Sequence, residues 1–350
     1  MAVETIRIGI IGAGSNTRKV HIPRLQAIEG VQIVEVANRT TASAQKVADE
    51  FKIPTVRKHW KEVIESKEVD AIVIGTWPDL HCEATCMALQ AEKHVLCEAR
   101  MAMDEVEART MLQASYKQPK SVVQIVPSPF TLHIDPTLLK MLDDGEIGTP
   151  RFFRFEYQAP PLVPLEGSLH WRRNKKYSGS NIMMLGVIYE SLLRWFGSAE
   201  WVDSHAEVIN NRAVDPENNK EMEIEVPDYL SVQMKMTNGI LGSLFLHELS
   251  TRPPSSSIKI YGDKGLFHLD FEVGGKLFHS TSTSHELNEV QIPSGQAGVW
   301  RAEEEFINTI RGFEEIEHTT FTTGVEYMKF IQAVNESFNG DGERIIIPPG

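Results

Sequence analysis

The sequence predicts an α/β protein in which an N-terminal, doubly wound parallel sheet is followed by an α+β region built on antiparallel strands. Three observations carry this. Apolar, β-branched runs alternate with helical periodicity as far as Val126, the first run ends in Gly12-Ala13-Gly14, and the second half holds strictly alternating runs separated by turn residues. Ile6 to Ile11 enters the glycine turn as a buried parallel strand does. A helical stretch through Pro23, Leu25 and Ile28 follows, then Gly30 and a second run from Val31 to Ala37, closing a unit of about thirty residues, the length of a βαβ crossover. Ala42 to Phe51 is helical by spacing, Val56 is extended after Pro54, and Trp60 to Ser66 is helical. Ala71 to Gly75 is a strand, Glu83 to Glu92 a helix, His94 to Cys97 a strand, Asp104 to Lys117 a helix and Val122 to Val126 a strand.

In the second half, Phe153, Phe155 and Tyr157 line one face of a strand. Apolar residues from Leu230 to Met236 alternate with Ser231, Gln233 and Lys235, and Asn238-Gly239 turns the chain into Ile240 to Leu246, a hairpin. Ile258 to Tyr261 and Leu266 to Phe271, joined through Gly262 to Gly265, form another. One-sided strands of this kind need a cover of helices or of a partner subunit.

At 350 residues the chain has room for two domains of about 150 residues, with boundaries expected at 1–127 and 128–350. Its 41% apolar and 24% charged residues are those of a globular protein, neither disordered nor fibrous. Lys and Arg number 35 against 48 Asp and Glu, and the net charge of −13 argues against nucleic acid and anionic lipid as partners. The three cysteines, Cys82, Cys86 and Cys97, cannot form a disulfide framework, and Cys82 and Cys86 lack the two further soft ligands a zinc site needs, so no metal is expected. No apolar run approaches the roughly 20 residues of a membrane helix, and the chain opens directly into a strand. Cytoplasmic residence is the expectation.

The glycine turn is the first candidate site. A lone glycine pair serves only the backbone as often as not, but between a strand and a helix Gly12 and Gly14 let the chain approach a pyrophosphate, with Ser15, Asn16 and Thr17 opening the helix beside it. Thr17 stands where the third glycine of the dinucleotide fingerprint would be, so helix and strand must pack differently here. After the second strand the chain reads Asn38-Arg39-Thr40 instead of an acidic residue. Arg39 suits a 2′-phosphate, which favours NADP over NAD.

Thr76-Trp77-Pro78-Asp79-Leu80-His81 after the third strong strand, His94-Val95-Leu96-Cys97-Glu98 after the next helix, and Gly145-Glu146-Ile147-Gly148-Thr149-Pro150 resemble the Gfo/Idh/MocA dehydrogenases, which include glucose-fructose oxidoreductase and inositol dehydrogenase. Ser178 to Gly197 resembles the family's substrate-side helix, and Arg301 to Gly312 and Gly324 to Asn339 its last helices, whose return to the first domain is expected. The resemblance implies a C-terminal domain with a large open sheet, a homodimer or homotetramer through that sheet, and redox chemistry on a sugar, polyol or relative. It also implies that Thr76, Trp77, His81 and Glu98 lie at the cofactor, Glu98 near the nicotinamide ribose.

The family's proton-transfer residues do not carry over. Its Glu-Lys-Pro motif reads Glu98-Ala99-Arg100, and on the substrate-side helix Met184 and Ile188 occupy the aspartate and histidine positions. An asparagine and arginine pair frequent after the preceding strand is replaced by Val126-Pro127-Ser128-Pro129-Phe130. Replacement acids and bases are sought in Tyr189 and His170, and substrate contacts in Arg172, Tyr177 and Glu190. Each has a bland alternative: Tyr189 fits a helical core position, His170 a backbone-bonded loop, Arg172 a solvated surface. Three classes of function remain open: an oxidoreductase with a rearranged proton path, an eliminase or hydrolase that keeps its cofactor for transient oxidation, and a non-catalytic NAD(P)-binding protein.

Overall fold

The computed structural model describes residues 4–162, 168–216, 218–271, 275–284 and 286–349. The chain forms two compact units, Met1–Pro127 with Arg301–Met328, and Ser128–Trp300 with Lys329–Gly350.

In the first unit six strands, β1 (Ile6–Ile11), β2 (Val31–Ala37), β3 (Thr55–Val56), β4 (Ala71–Ile74), β5 (His94–Cys97) and β6 (Val123–Ile125), lie in the order β3-β2-β1-β4-β5-β6. Every pairing is parallel. β4 is buried along its whole length, as the continuous Ala-Ile-Val-Ile run requires of a strand covered on both faces. The crossover helices start where the sequence offers side-chain caps: Thr40 accepts from the Ser43 N–H ahead of Thr41–Phe51, and Asp104 from the Glu107 N–H ahead of Glu105–Lys117. The strand order reverses between β1 and β4, the place where doubly wound sheets open a crevice for a ligand.

Thr17 is accommodated at that reversal by Gly75. The Thr17 hydroxyl donates to the Gly12 carbonyl at 3.2 Å. A Cβ on Gly75 would lie 2.1 Å from Thr17 Oγ1 and 2.4 Å from the Gly12 oxygen. Gly12 itself has φ +83°, and a Cβ there would meet the Thr76 side chain at 2.5 Å. The close approach that a third glycine normally allows is therefore made from the opposite strand.

The second unit holds β7 (Pro150–Gln158), β8 (Ala199–Glu207), β9 (Arg212–Val214), β10 (Glu221–Glu223), β11 (Tyr229–Met236), β12 (Leu241–His247), β13 (Ser255–Gly262), β14 (Gly265–Asp270), β15 (Lys276–Thr281), β16 (Asn288–Glu289) and β17 (Ile345–Ile346). Nine of these form one sheet in the order β16-β15-β14-β13-β7-β12-β11-β8-β17, while β9 and β10 make a separate ribbon. The sheet is antiparallel except where β7 pairs with β12. Its inner face carries Phe153, Phe155, Leu230, Val232, Leu244, Leu246, Ile258 and Ile260, all buried. The alternate face carries Phe152 stacked on Tyr261 and Tyr229 edge-on to Phe245.

The substrate-side helix is shorter than its sequence resemblance implies. Lys175–Ser178 is a separate turn ended by Gly179 at φ 61°, ψ −132°, outside the helical region, and the long helix runs only from Leu185 to Phe196. No described helix is long and apolar enough to cross a membrane, and Cys82, Cys86 and Cys97 are all free thiols.

Gly75→Ala is expected to cost on the order of 1–3 kcal/mol through overpacking against Thr17 and Gly12. Urea unfolding at neutral pH measures it.

Candidate functional site

In the first unit the candidate cofactor residues gather at the C-terminal ends of β1, β2, β4 and β5. Gly14, Ser15 and Asn16 are exposed on the turn after β1. Asn38 supports this turn: its Oδ1 accepts the Ala13 N–H at 2.7 Å. Arg39 is exposed, its guanidinium 5.3 Å from the centre of the Trp77 ring, so a charged group and an aromatic plane flank the end of β2. Glu98 follows β5. Its Oε1 accepts from Asn16 Nδ2 at 2.5 Å and from His21 Nε2 at 2.9 Å, and its Oε2 accepts from the Ala99 N–H at 3.2 Å. Burial alone would raise its pKa, but these donors hold it below the usual carboxylate range. Glu98 is a fixed anion, not a base.

Two expected cofactor contacts turn inward instead. His81 is fully buried, its ring nitrogens 2.9 Å from the Arg100 carbonyl and 3.1 Å from the Thr76 carbonyl, so it clamps the loop after β4 to the loop after β5. Thr17 is buried with its hydroxyl on Gly12. Both shape the turn from behind, and their reading as direct contacts is corrected accordingly.

In the second unit a cavity of about 570 Å³ is lined by Pro129, Phe130, His133, Tyr157, Met184 and Phe271, with Pro254, Ser255, Ser256 and Gly275 completing it. Met184, at the family's aspartate position, thus faces this cavity, while Ile188 is buried in the helix core. Phe130 packs on Phe271 with ring centres 5.0 Å apart, and His133 Nε2 donates to the Gly275 carbonyl at 2.7 Å.

The helix Leu185–Phe196 holds the loop that supplies Pro129 and Phe130. Arg194 donates to Glu190 Oε1 at 2.7 Å, to Asp135 Oδ2 at 2.9 Å and to Thr131 Oγ1 at 2.9 Å. The other Glu190 oxygen accepts the Ser128 N–H at 2.9 Å, and Trp195 Nε1 donates to Asp135 at 2.8 Å. Glu190 is therefore a buried structural anion, which corrects its assignment to substrate. Tyr189 is corrected too: it is 1% exposed, its ring is stacked 3.6 Å from Phe330, and its hydroxyl accepts the Ala199 N–H at 2.7 Å. A phenol so committed is a core residue.

His170 caps the turn Trp171–Arg173: its Nδ1 accepts the Arg172 N–H at 3.3 Å, and burial with the nearby Arg172 charge holds its pKa below the usual histidine value. Arg172 lies 4.5 Å over the Trp171 ring, and Tyr177 is half-buried beneath Lys176. Neither Arg172 nor Tyr177 is among the residues lining the cavity.

Two titratable residues escaped the sequence reading. Tyr157 lines the cavity; burial, then the Glu248 charge, raise its pKa. Glu248 continues the inward parity of Gly242, Leu244 and Leu246 on β12 by two residues, a signal that alternation alone could have shown. It lies 3.8 Å from Arg173 Nη1 without a hydrogen bond, and that guanidinium is shared with Asp228 at 3.2 Å. Burial outweighs the shared cation and pushes Glu248 up to about 7. A further cluster, Glu305, Glu317 and His318 in the first unit, is a loop cap: Glu305 Oε1 accepts the N–H groups of both partners.

A parallel sheet with its glycine turn at the strand reversal and a carboxylate fixed beside it defines a dinucleotide-binding protein of the Rossmann class. The family models agree: an oxidoreductase family model with an NAD-binding Rossmann fold matches residues 6–125, and a GFO/IDH/MocA C-terminal domain model matches residues 137–268. The chain belongs to the Gfo/Idh/MocA oxidoreductases. It is similar to an uncharacterized oxidoreductase of Synechocystis, 24% identical over 83% of this chain and 79% of that one. It is also similar to inositol 2-dehydrogenase of Salmonella typhimurium, 28% identical over 49% of this chain and 56% of that enzyme, little more than half its length. In structure it resembles an oxidoreductase domain protein from Kribbella flavida (TM-score 0.85, 22% identity) and levoglucosan dehydrogenase in complex with NADH and levoglucosan (TM-score 0.85, 18% identity). Both comparisons span 99% of this chain and 100% of the other; at these identities they establish the fold.

Tyr189→Phe is expected to cost about 1–3 kcal/mol by leaving the buried Ala199 N–H unpaired, with NADH affinity unchanged; thermal unfolding and a binding titration read the two. Arg194→Met is expected to cost roughly 3–5 kcal/mol, since it strands two buried carboxylates, measured by urea unfolding.

Proposed function

We propose that the protein is an NAD(P)-dependent oxidoreductase acting on a sugar, polyol or related carbohydrate derivative, with Tyr157 as the proton-transfer residue in place of the family's lysine, aspartate and histidine. The observation that carries the reading is asymmetric loss. The dinucleotide end keeps its glycine turn and its fixed Glu98, whereas Ala99, Met184 and Ile188 are apolar. The turn fits the cofactor, because the space a Cβ on Gly12 would fill is already taken by Thr76 and the exposed edge from Gly14 to Asn16 is left for phosphates. When bound, the nicotinamide supplies the hydride donor or acceptor. Arg39 is the partner for a 2′-phosphate, and Trp77 beneath it offers a face for the adenine.

The cavity of the second unit suits a carbohydrate. Phe130 and Phe271 offer apolar faces, and Tyr157, Ser255 and Ser256 offer hydroxyl partners. A relative named for inositol and a structural neighbour named for levoglucosan support the same substrate class. In the reductive direction Tyr157, which lines the cavity, donates its phenolic proton to the carbonyl oxygen as that oxygen gains charge, solvent restores the proton, and the Glu248 charge tunes the phenol. The outer sheet face bearing Phe152 and Tyr261 is assigned to self-association as a homodimer or homotetramer.

NADPH is expected to bind in the micromolar range by fluorescence titration, and Arg39→Ala to weaken NADPH about tenfold while leaving NADH nearly unchanged, the cost of one charge-assisted contact. Tyr157→Phe is expected to lower kcat by about two orders of magnitude or more with cofactor affinity intact, and Glu248→Gln to remove the inflection near pH 7 from the rate profile. Turnover of a carbohydrate with no net absorbance change at 340 nm would favour transient oxidation, and cofactor binding indifferent to Tyr157 would favour a sensor.

A further inference from the structure

We propose that His21 is a positioning residue of the dinucleotide site, an imidazolium locked between Glu98 and Glu303 that holds Glu98 in register for the cofactor. The inference rests on the NAD(P) reading above and adds a residue and a dependence to it.

The geometry suits the doubly protonated ring. His21 is 0% exposed; its Nε2 is 2.9 Å from Glu98 Oε1 and its Nδ1 is 2.5 Å from Glu303 Oε1. A neutral imidazole has one N–H and would turn a lone pair toward one of these carboxylates, whereas the cation satisfies both. The third group at the ring, Asn16 Nδ2, is 3.3 Å from Nε2 and gives its proton to Glu98 Oε1. From the helix side Glu303 is itself buried, on Ala302–Ile310, and from the loop after β4 the buried His81 faces Glu98 as a neutral ring, its pKa lowered chiefly by burial. Burial by itself would lower the His21 pKa, but hydrogen bonds from the two carboxylates overcome this and carry it up to about 9.

Glu98 is thereby fixed at both oxygens: His21 and Asn16 hold Oε1 and the Ala99 N–H holds Oε2. Its side chain keeps 15% exposure, the edge left for a ribose hydroxyl. Loss of the His21 proton aims an imidazole lone pair at one carboxylate or the other. Loss of Glu303 removes the anion that sustains the charge.

The test is a fluorescence titration of the full chain with NADH between pH 6 and 10. Wild-type affinity is expected to be flat to about pH 8 and to fall as pH rises through about 9. His21→Asn is expected to weaken NADH roughly tenfold or more at pH 7, as the loss of charge-assisted hydrogen bonds does, and to abolish the alkaline fall. Glu303→Gln is expected to move the fall toward neutral pH, a displacement that mere loss of packing would not produce, and it carries the test if His21→Asn does not fold. An alkaline fall at the wild-type pH in Glu303→Gln overturns the proposal, as does wild-type affinity and pH dependence in His21→Asn. Absence of NADH and NADPH binding by the wild type at every pH overturns the NAD(P) reading together with it, and is thereby distinguished from failure of the His21 proposal alone.

Discussion

The approach of two backbones at the carboxyl ends of β1 and β4 sets the geometry on which the first unit depends. Gly12, Thr17 and Gly75 meet where an added methyl carbon would lie 2.1 Å from one neighbour and 2.4 Å from another. That proximity brings the turn after β1 against Thr76, lets Asn38 reach Ala13, and places Asn16 within hydrogen-bond distance of Glu98. Polar residues from four strand ends thus converge because the interior beneath them is packed without slack.

The second unit solves a different problem. Its long sheet buries one face, and the helix Leu185–Phe196 must both cover that face and anchor the polar loop after β6. Leu185, Ile188, Leu192 and Phe196 serve the first task, and Glu190 with Arg194 the second. A buried ion pair is a costly way to anchor a loop, because desolvation offsets much of the attraction. Its return is directional: Asp135, Thr131, Ser128 and Trp195 are all tied to one guanidinium and its two carboxylates, which holds Pro129 and Phe130 at the cavity wall.

How far the sequence was readable follows from the range of each interaction. Parallel strands buried on both faces are continuous apolar runs, so β1, β2, β4 and β5 stand out, and the Asn238-Gly239 hairpin is equally local. The helix start at Leu185 was obscured because Ser178 to Met184 has no strong breaker except Gly179 and Gly197 closes both readings. Adjacency to Ile188 points to Tyr189 and Glu190 as site residues, but the partner of a polar group is decided in space: the Ala199 N–H engages the Tyr189 phenol and the Ser128 N–H the Glu190 carboxylate. His21 was invisible for the same reason, since its partners are 77 and 282 residues away. Glu248 is the exception: period-two parity runs straight into it.

The division of the chain carries a consequence for how the protein is made. Arg301–Met328 belongs to the first unit and Lys329–Gly350 to the second, so each unit is sewn from segments that a ribosome delivers far apart in time. Parallel pairing of β7 with β12 adds another long loop closure, and such non-local contacts slow folding. Until the last helices emerge, the nascent Rossmann sheet lacks Glu303 beside His21 and Glu305 beside Gln124, and a buried histidine has one anion where it will need two. A chain stalled near residue 300 lacks the Arg301–Met328 segment of the first unit and the Lys329–Gly350 segment of the second, and incomplete domains of this kind expose apolar surface that promotes aggregation.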